Sequence, residues 1–384
     1  MAITLAKLCQ KAYENYRMQL IAGKGGLYNV VSWVHIIEDV EVSQFLNGNE
    51  LVFTTGIGNI GKGSEAMISY IAALIESNAS ALVINIGPYI SKVDRKIIEY
   101  CDEKNFPLYV CPWETRLVDV TRGLCEKIFN SETNEKSLVS NVKDYIFYPA
   151  ERKRIQEILE RRGLQRDINY CVIFVGIDTS IRSVESDNQS LEIYARREIE
   201  KTQSGKYVLF WYERKLVIVT AGMSDSGQKE LMNSLLYYSN TRKRLYIAVS
   251  SNEESLNSLD VNFERARDIY SMCVKKNVDI LYYNTLGIEK VLLSVKDKKV
   301  LNEIERTTLG GLIQYDKNNG TDLYDFLKIY IDNDGSVKKT ADDLFIHRNT
   351  VNYKISKIES IINMDITKLD NLLLIKMVLD IEKL

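Results

Sequence analysis

Short apolar runs alternate with amphipathic stretches over about the first 125 residues. The apolar runs are as long as strands, and the stretches between them repeat apolar residues every three or four positions, as helices do. Strands alternating with such helices predict a mostly parallel sheet covered by helices. The predicted elements are a helix over 4–20, strands in VVSWVHII and ELVFTTG, a helix in SEAMISYIAALIESN, a strand in ALVINIG, a helix over 93–104, a strand in PLYVCP and a helix over 115–129.

The pattern turns polar between 130 and 166. The stretch NSETNEKSLVSN indicates a linker, and the charged stretch AERKRIQEILERRGL after it predicts a helix with Ile155, Ile158 and Leu159 on one face. Such a helix either packs against a neighbouring domain or a second copy of the chain, or simply covers its own domain.

A second alternating pattern runs from about 168 to 295. It predicts strands in YCVIFVGI, YVLFWY, LVIVTAG, LYIAVS and DILYY, with helices near 189–203, in GQKELMNSLLYYS and in NFERARDIYSMCVKKN. The short turn ERK makes the second and third strands a hairpin, which gives the order β-α-β-β-α-β of the split βαβ arrangement. Nucleotide cyclases share this order, but the chain contains no Gly-Gly-Asp/Glu-Glu-Phe string, so the pattern favours an inert, ferredoxin-like α+β domain.

These patterns together predict a multidomain α/β protein, since 384 residues exceed one ordinary domain. The last region shows no strand alternation and is predicted to be all helical. The predicted parts are an α/β domain over 1–129, a linker and packing or dimerisation helix over 130–166, a ferredoxin-like domain over 167–296 and a helical domain over 297–384.

Composition adds mainly exclusions. With 45% hydrophobic and 27% charged residues, the chain is that of an ordinary folded protein, and its apolar runs are too short for a membrane helix. The N-terminus has scattered charges instead of the apolar block of a signal peptide, so we expect a cytoplasmic protein. Six cysteines sit among apolar residues without any C-x-x-C pair, so we expect reduced thiols and neither a metal site nor a cofactor. They are Cys9, Cys101, Cys111, Cys125, Cys171 and Cys273.

A glycine-rich stretch, TTGIGNIGKGSEA, imitates two phosphate-binding motifs. Gly56, Gly58 and Gly61 spell G-x-G-x-x-G, and the stretch from Gly56 to Lys62 spells G-x-x-x-x-G-K. Lys62 is not followed directly by Ser or Thr, and the next strand does not end in an acid, so both motifs fail at a diagnostic position. The stretch is either a plain loop with Ser64 capping the next helix, or a site for a small anionic or polar ligand at that helix N-terminus.

Near the C-terminus, SVKKTADDLFIHRNTVNYKISKIESII predicts a helix-turn-helix unit, two helices joined by a short turn. The first helix, about 337–344, carries the small Ala341 where two helices cross, and Val337 and Leu344 face inward. The second helix, about 348–360, repeats apolar residues at positions i, i+4 and i+7. These residues are Val351, Ile355 and Ile358.

The opposite face of the second helix carries amide, hydroxyl and basic side chains, with no acidic residue from Arg348 to Lys357. Residues 336–358 hold five basic and two acidic residues inside a chain whose net charge is -2 and whose pI is near 6.0. Amide and basic side chains hydrogen-bond to the edges of nucleobases and bind phosphates, so this face favours double-stranded DNA as a partner. The alternative is a helix that packs against a partner.

At this point the sequence resembles a known family. TADDLFIHRNTVNYKISKIESIINMDI, and GTDLYDFLKIYIDNDGSV before it, resemble the C-terminal helix-turn-helix of the PucR family of bacterial transcriptional regulators. GGLYNVVSWVHIIEDVEVSQFLNGNELVFTTG resembles the family's N-terminal domain. FERARDIY and YYNTLGIEKVLL resemble its degenerate GGDEF-like middle domain.

The resemblance implies a cytoplasmic homodimer or higher homo-oligomer that binds promoter DNA and senses a small-molecule effector. It implies control of genes for the catabolism of purines, amino acids or related nitrogen compounds, and it implies no enzymatic activity. Asn352 stands where the family often has arginine, which removes a potential phosphate or guanine contact.

The resemblance also gives the polar residues of the second helix their roles. His347 is expected to cap the helix or donate to a phosphate, and the alternative is a turn residue packed against Phe345. Arg348 is expected to read guanine and Asn352 adenine. The backbone contacts are expected from Asn349, Thr350, Tyr353 and Lys354, with Lys357 beside them.

A pocket for the effector is expected near the edge of the N-terminal sheet, the usual place for one in an α/β fold. The residues expected to form it are Trp33, His35, Glu38, Thr54, Thr55 and Gly56. The alternative from another functional class is a nucleotide-binding enzyme or signalling protein that uses the loop 56–64, with the C-terminal helices as an oligomerisation module.

Overall fold

The structure is a computed structural model that describes residues 3–59, 63–178, 185–202, 204–295 and 297–382. The chain divides into two compact units. Unit 1 holds Met1–Tyr170, Ile177–Leu245 and Glu253–Asp260, and unit 2 holds Cys171–Gly176, Tyr246–Asn252 and Val261–Leu384.

The first part of unit 1 is an α/β domain with one five-stranded sheet. Its elements are β1 Ile3–Thr4, α1 Leu5–Leu8, α2 Ala12–Tyr16, β2 Gln19–Ala22, β3 Val30–Val31, β4 Trp33–Ile36, β5 Glu50–Thr54, α3 Gly63–Glu76, β6 Ala81–Ile86, α4 Arg95–Glu103, β7 Leu108–Pro112 and α5 Leu117–Phe147. The strand order is β2-β7-β6-β5-β4, with all neighbours parallel except β2, and β1 pairs separately with β3.

Two apolar clusters cover the two faces of this sheet. One joins the sheet to α1, α2 and α5 around Leu5, Phe53 and Leu124, and the other joins it to α3 and α4 around Val52, Ile71 and Ile97. The predicted parallel sheet with helices on its faces is therefore present. The strands in its middle are mostly apolar because both of their faces are buried.

The predicted helix over 4–20 is wrong. The chain forms the short helices α1 and α2 there, and α2 ends at Arg17 in the left-handed conformation, with φ at 52°. The residues after it enter β2, whose Gln19 pairs with Val110 of β7. A strand at the sheet edge gains backbone hydrogen bonds that a longer surface helix would not, and the local pattern does not show this.

The predicted polar linker after 129 is also wrong, because α5 continues through it to Phe147 as one helix of 31 residues. Its second half buries Val139, Val142, Tyr145 and Ile146 at helical spacing. No proline or glycine interrupts the chain from Leu124 to Tyr148, so nothing in the backbone chemistry stops the helix.

The predicted cap at Ser64 is not what forms. Helix α3 begins at Gly63, and the Ser64 hydroxyl donates to Asp94 Oδ2 at 2.7 Å. Asp94 is itself the N-cap of α4, where it accepts from the Lys96 N–H. Gly61 and Lys62, on which the phosphate-loop motifs depend, lie outside the described residues.

The middle of the chain follows the predicted order of elements. They are α6 Arg152–Arg161, β8 Tyr170–Ile177, α7 Glu185–Thr202, β9 Lys206–Tyr212, β10 Lys215–Ala221, α8 Asp225–Thr241, β11 Leu245–Val249, α9 Leu259–Lys276 and β12 Ile280–Tyr282. In unit 1, β9 and β10 form the predicted hairpin, whose turn residues Glu213 and Arg214 both have positive φ. In unit 2, β11 and β12 pair in parallel.

The last part of unit 2 is helical, as predicted. Its helices are α10 Glu289–Ser294, α11 Lys298–Asn319, α12 Leu323–Asp332, α13 Val337–Asp343, α14 Arg348–Ile362 and α15 Leu369–Ile381. A core of leucine, isoleucine, valine and aromatic side chains joins α11 to α15, with Leu312, Phe326 and Ile375 inside it. Nowhere in the described part of the chain is a helix both long and apolar enough to span a bilayer.

Candidate nucleic-acid interface

Helices α13 and α14 form the helix-turn-helix pair that the sequence predicts. Ser336 caps α13, and its hydroxyl accepts from the Lys339 N–H at 3.3 Å. The turn is tight because Phe345 adopts a left-handed conformation with φ at 51°, which lets the Ile346 N–H donate back to the Ala341 carbonyl at 3.1 Å. His347 is extended and starts α14.

The apolar stripe of α14 is buried as predicted. Val351 and Ile358 are fully buried and Ile355 nearly so, within the core that α11, α12 and α15 complete. Where α13 crosses, Ala341 is buried together with Thr340, which the sequence analysis did not identify. The Thr340 hydroxyl donates to the Ser336 carbonyl at 2.9 Å, so this buried polar side chain keeps a hydrogen bond.

The opposite face of α14 is exposed and polar. Arg348 makes no ion pair with any described residue, and Tyr353 leaves 68% of its surface in solvent. A helix held by a buried stripe and presenting free amides, hydroxyls and a guanidinium has the form of a recognition helix. The exposed members of this face, here called the recognition face, are Arg348, Asn349, Thr350, Asn352, Tyr353 and Ser356.

His347 serves as the N-cap of α14. Its Nδ1 accepts from the Asn349 N–H at 3.3 Å, and the ring is exposed. Phe345 is 95% exposed, so the alternative in which the histidine packs against that ring has little apolar surface to use. The exposure of Phe345 beside the recognition face was not foreseen, because its pattern position is that of an ordinary apolar turn residue.

Two lysines of the predicted DNA contacts are engaged inside the helical domain. The Lys354 ammonium lies 2.5 Å from Asp322 Oδ1 and 5.3 Å from the centre of the Phe326 ring. Its hydrogen bond and charge lower the pKa of Asp322 below the usual value for an aspartate. Lys357 lies 5.1 Å from the centre of the Tyr315 ring. Both side chains thus connect α14 to neighbouring helices.

Other basic residues of the predicted patch remain at the surface. Lys338 is exposed and pairs with no carboxylate among the described residues, whereas Lys339 lies 3.4 Å from Asp334. Lys338 and Arg348 are therefore the exposed basic side chains of this patch that can meet a phosphate without breaking an existing ion pair.

Four of the residues expected to bind an effector form one tight cluster. The Glu38 carboxylate accepts from the Thr54 hydroxyl at 2.8 Å, from the Thr55 N–H and hydroxyl at 2.9 and 2.8 Å, and from the Gly56 N–H at 3.2 Å. These bonds hold the end of β5 against the loop that follows β4, and they occupy both carboxylate oxygens.

The other two expected residues lie on the edge strand β4. The Trp33 ring packs edge-on against Phe129 of α5, with 5.7 Å between the ring centroids. His35 is exposed and opposite Val52 of β5 in the strand register. Their role toward a ligand stays a prediction.

Fold and site together define a protein with an N-terminal α/β domain and a C-terminal helix-turn-helix unit. Two parts of the chain match family models that correspond to these regions. Residues 8–128 match the purine catabolism regulatory protein-like (PucR) family, and residues 323–381 match the PucR C-terminal helix-turn-helix domain. The two matches lie in the order in which the sequence resemblance placed these regions.

Similar proteins of known name are regulators. The chain is 30% identical over 166 residues to the proline-responsive transcriptional activator PutR of Bacillus subtilis, a match that covers 40% of each protein. It is 27% identical over 154 residues to the purine catabolism regulatory protein of the same organism, covering 40% of this chain and 27% of that protein. These matches thus span less than half the length of either relative.

One solved structure also matches, that of the regulator of polyketide synthase expression from Bifidobacterium adolescentis. The match has 17% identity and a TM-score of 0.32, and it covers 64% of this chain and 92% of that one. The names of both matched families and of the two Bacillus subtilis proteins describe regulation or regulators, none of them an enzyme.

Proposed function

We propose that this protein is a DNA-binding transcriptional regulator of the PucR type, which binds double-stranded promoter DNA through α13 and α14. The observation that carries the proposal is the recognition face, an exposed polar surface on a helix whose opposite stripe is fully buried. Inserted in a major groove, it would set Arg348 and Asn352 against base edges, with Asn349, Thr350 and Tyr353 beside the backbone.

Regulators of this type need a signal, and we propose that this one is a small metabolite. The similar proteins are named for responses to proline and for purine catabolism, so by analogy we propose a nitrogen-containing effector and control of genes for its catabolism. We propose the cytoplasm as the site of action, and a homodimer or higher homo-oligomer that reads half-sites separated by whole turns of DNA, ~34 Å each. We also propose that the central region is a degenerate GGDEF-like module.

The test of DNA recognition is selective capture of fragmented host DNA by the purified protein at near-physiological salt, with two variants. Arg348→Ala removes the free guanidinium of the recognition face. Arg306→Ala, on the exposed side of α11, removes the same charge from the same domain and serves as its matched control.

We expect the unaltered protein and Arg306→Ala to enrich the same few intergenic sites. Arg348→Ala should lose those sites, because a bidentate arginine–guanine contact discriminates by ~1 to 3 kcal/mol, and should lose less affinity for random DNA. Equal losses on both kinds of DNA would contradict a base-reading role for Arg348. Uniform retention of all fragments by the unaltered protein would contradict the proposed function.

A further inference from the structure

Unit 1 contains a cavity of about 500 Å³ that is open to solvent and that the sequence pattern does not predict. Its walls come from β1 and α1 at the start of the chain, from the middle of α5, from α7 and from β9. The volume lies in the range of ~300 to 1,000 Å³ that is usual for small-molecule sites. It lies within one compact unit and connects parts of the chain that are about 200 residues apart.

One wall carries a buried arginine with unused donors. The Arg196 side chain is only 6% exposed, and its Nη2 donates to Glu135 Oε1 at 2.6 Å and approaches Glu192 Oε1 at 3.5 Å. Both of these bonds use the same nitrogen, and Nε and Nη1 have no partner among the described residues. The free N–H groups on Nε and Nη1 lie on different edges of the planar guanidinium, so each can donate one charge-assisted hydrogen bond to a ligand carboxylate.

A second buried polar atom also lacks a partner. The Thr4 side chain lines the cavity and is 97% buried, and its hydroxyl oxygen makes no hydrogen bond with any described residue. A buried hydroxyl without a partner destabilises a folded protein, so such atoms usually meet a ligand or water. The Thr4 and Arg196 side chains both line this cavity.

The rest of the lining sets the class of ligand. Arg162 and Lys206 pair with no carboxylate among the described residues. The Arg162 guanidinium donates to the Asn134 carbonyl and the Ser137 hydroxyl, and the Lys206 ammonium donates to the Arg162 carbonyl. Four cationic side chains line the cavity against two carboxylates, so it attracts an anion. Apolar surface is also present, from Ile3, Leu138, Ile199 and Val208.

We propose that this cavity binds a small organic carboxylate, whose carboxylate group is held by Arg196 and Thr4 and whose apolar part contacts Leu138 and Ile199. An ammonium on the same molecule would find the Glu200 carboxylate, which already accepts from Lys7 and from the Tyr207 hydroxyl, each at 2.5 Å. The cavity as a ligand site stands on this geometry alone. Its role as the effector site rests on the proposed function.

The test is direct binding to the full chain without DNA, by isothermal titration and ligand-detected NMR. The probes are propionate, succinate, L-alanine, L-valine and L-proline, with propionamide as an uncharged analogue. Two variants address the proposed contacts: Thr4→Val removes the hydroxyl at nearly constant shape, and Arg196→Lys keeps the charge but loses the Nε and Nη1 donors. Thr55→Val, in the cluster around Glu38, tests the other pocket that the sequence predicts.

We expect at least one carboxylate to bind the unaltered protein and Thr55→Val equally, and to bind Thr4→Val and Arg196→Lys at least tenfold more weakly. Propionamide should not bind. Thr4→Val should fold at least as stably as the unaltered chain, because it removes an unpaired buried hydroxyl. Failure of all five carboxylates to bind would overturn the proposal, and so would binding that Thr4→Val leaves intact and Thr55→Val abolishes. Because no DNA is present, neither result bears on DNA recognition, which the capture experiment tests separately.

Discussion

The two ring nitrogens of His347 are available for different tasks. Nδ1 accepts from the Asn349 N–H, so the proton of the neutral ring lies on Nε2. Because the ring is exposed at the start of α14, Nε2 can donate to a phosphate placed near the positive end of that helix. One side chain can therefore stabilise the helix and contact DNA.

Two substitutions separate these tasks. His347→Asn keeps a side-chain acceptor suited to the N-cap, so its stability should stay near that of the unaltered protein, whereas His347→Ala should lose about 1 kcal/mol. Both should weaken DNA binding, because neither keeps a donor at the position of Nε2. Denaturant unfolding and DNA titration at one fixed salt concentration measure the two effects. Unchanged DNA affinity in His347→Asn would restrict the histidine to capping.

For individual residues, the sequence predicted those features that depend on the spacing of nearby residues. The buried stripe at Val351, Ile355 and Ile358 and the cap at His347 follow from helix periodicity and turn chemistry. The ion pair of Lys354 with Asp322 could not be predicted, since it depends on where α12 lies beside α14. For the same reason the sequence could not show that the Glu38 carboxylate is already occupied by Thr54, Thr55 and Gly56.

Among the elements, α5 is where sequence and structure differ most. The stretch after Phe129 is polar in composition, and its apolar positions, such as Val142, are covered by elements that come later in the chain. One of these is β9, where the Lys143 ammonium reaches the Trp211 carbonyl at 3.5 Å. A pattern read along the chain records the apolar spacing but not the partner, so a polar helix and a linker look alike. The helices and strands with strong periodicity, such as α3, β6 and β10, were predicted within a few residues.

A proline substitution in the middle of α5 tests whether this stretch is a continuous helix or a linker. Thr133→Pro removes the N–H of an exposed helical position and places the ring against the carbonyl of Phe129, which should cost ~3 kcal/mol or more. Thr133→Ala, the control at the same site, should be neutral or slightly stabilising. Thermal unfolding of both variants provides the measurement. If the proline variant were as stable as the alanine variant, residues around 133 would behave as the linker that composition indicates.

The six cysteines of the molecule form no disulfide bonds, and their thiols are buried or half-buried. Burial raises the pKa of Cys9, Cys101 and Cys273 to about 12, and it raises the pKa of Cys111 and Cys125 as well. Because the thiolate is the reactive form, the native protein at pH 8 should react slowly with a disulfide reagent such as dithionitrobenzoate. In guanidinium chloride all six should react rapidly. Rapid titration of all six thiols without denaturant would contradict the burial described here.

The net charge of the whole chain does not by itself indicate DNA as a partner. A chain of net charge -2 is repelled by DNA at long range, so binding must come from local cations that can meet phosphates. Lys338 is free to do so, whereas Lys354 would first have to leave Asp322. Substituting each of these two lysines should therefore change the salt dependence of DNA affinity differently.

Lys338→Gln should lower the slope of log affinity against log salt by ~0.9, the loss of one phosphate contact. Lys354→Gln should leave the slope unchanged and lower the free energy of unfolding by up to ~1 kcal/mol, because it removes an ion pair whose aspartate is mostly exposed. Lys317→Gln, at the exposed end of α11, removes the same charge from the same domain and should change neither quantity. If Lys354→Gln lowered the slope as much as Lys338→Gln, the ion pair with Asp322 would have to open on binding. The contact to the DNA backbone that the sequence resemblance implies for Lys354 would then be right.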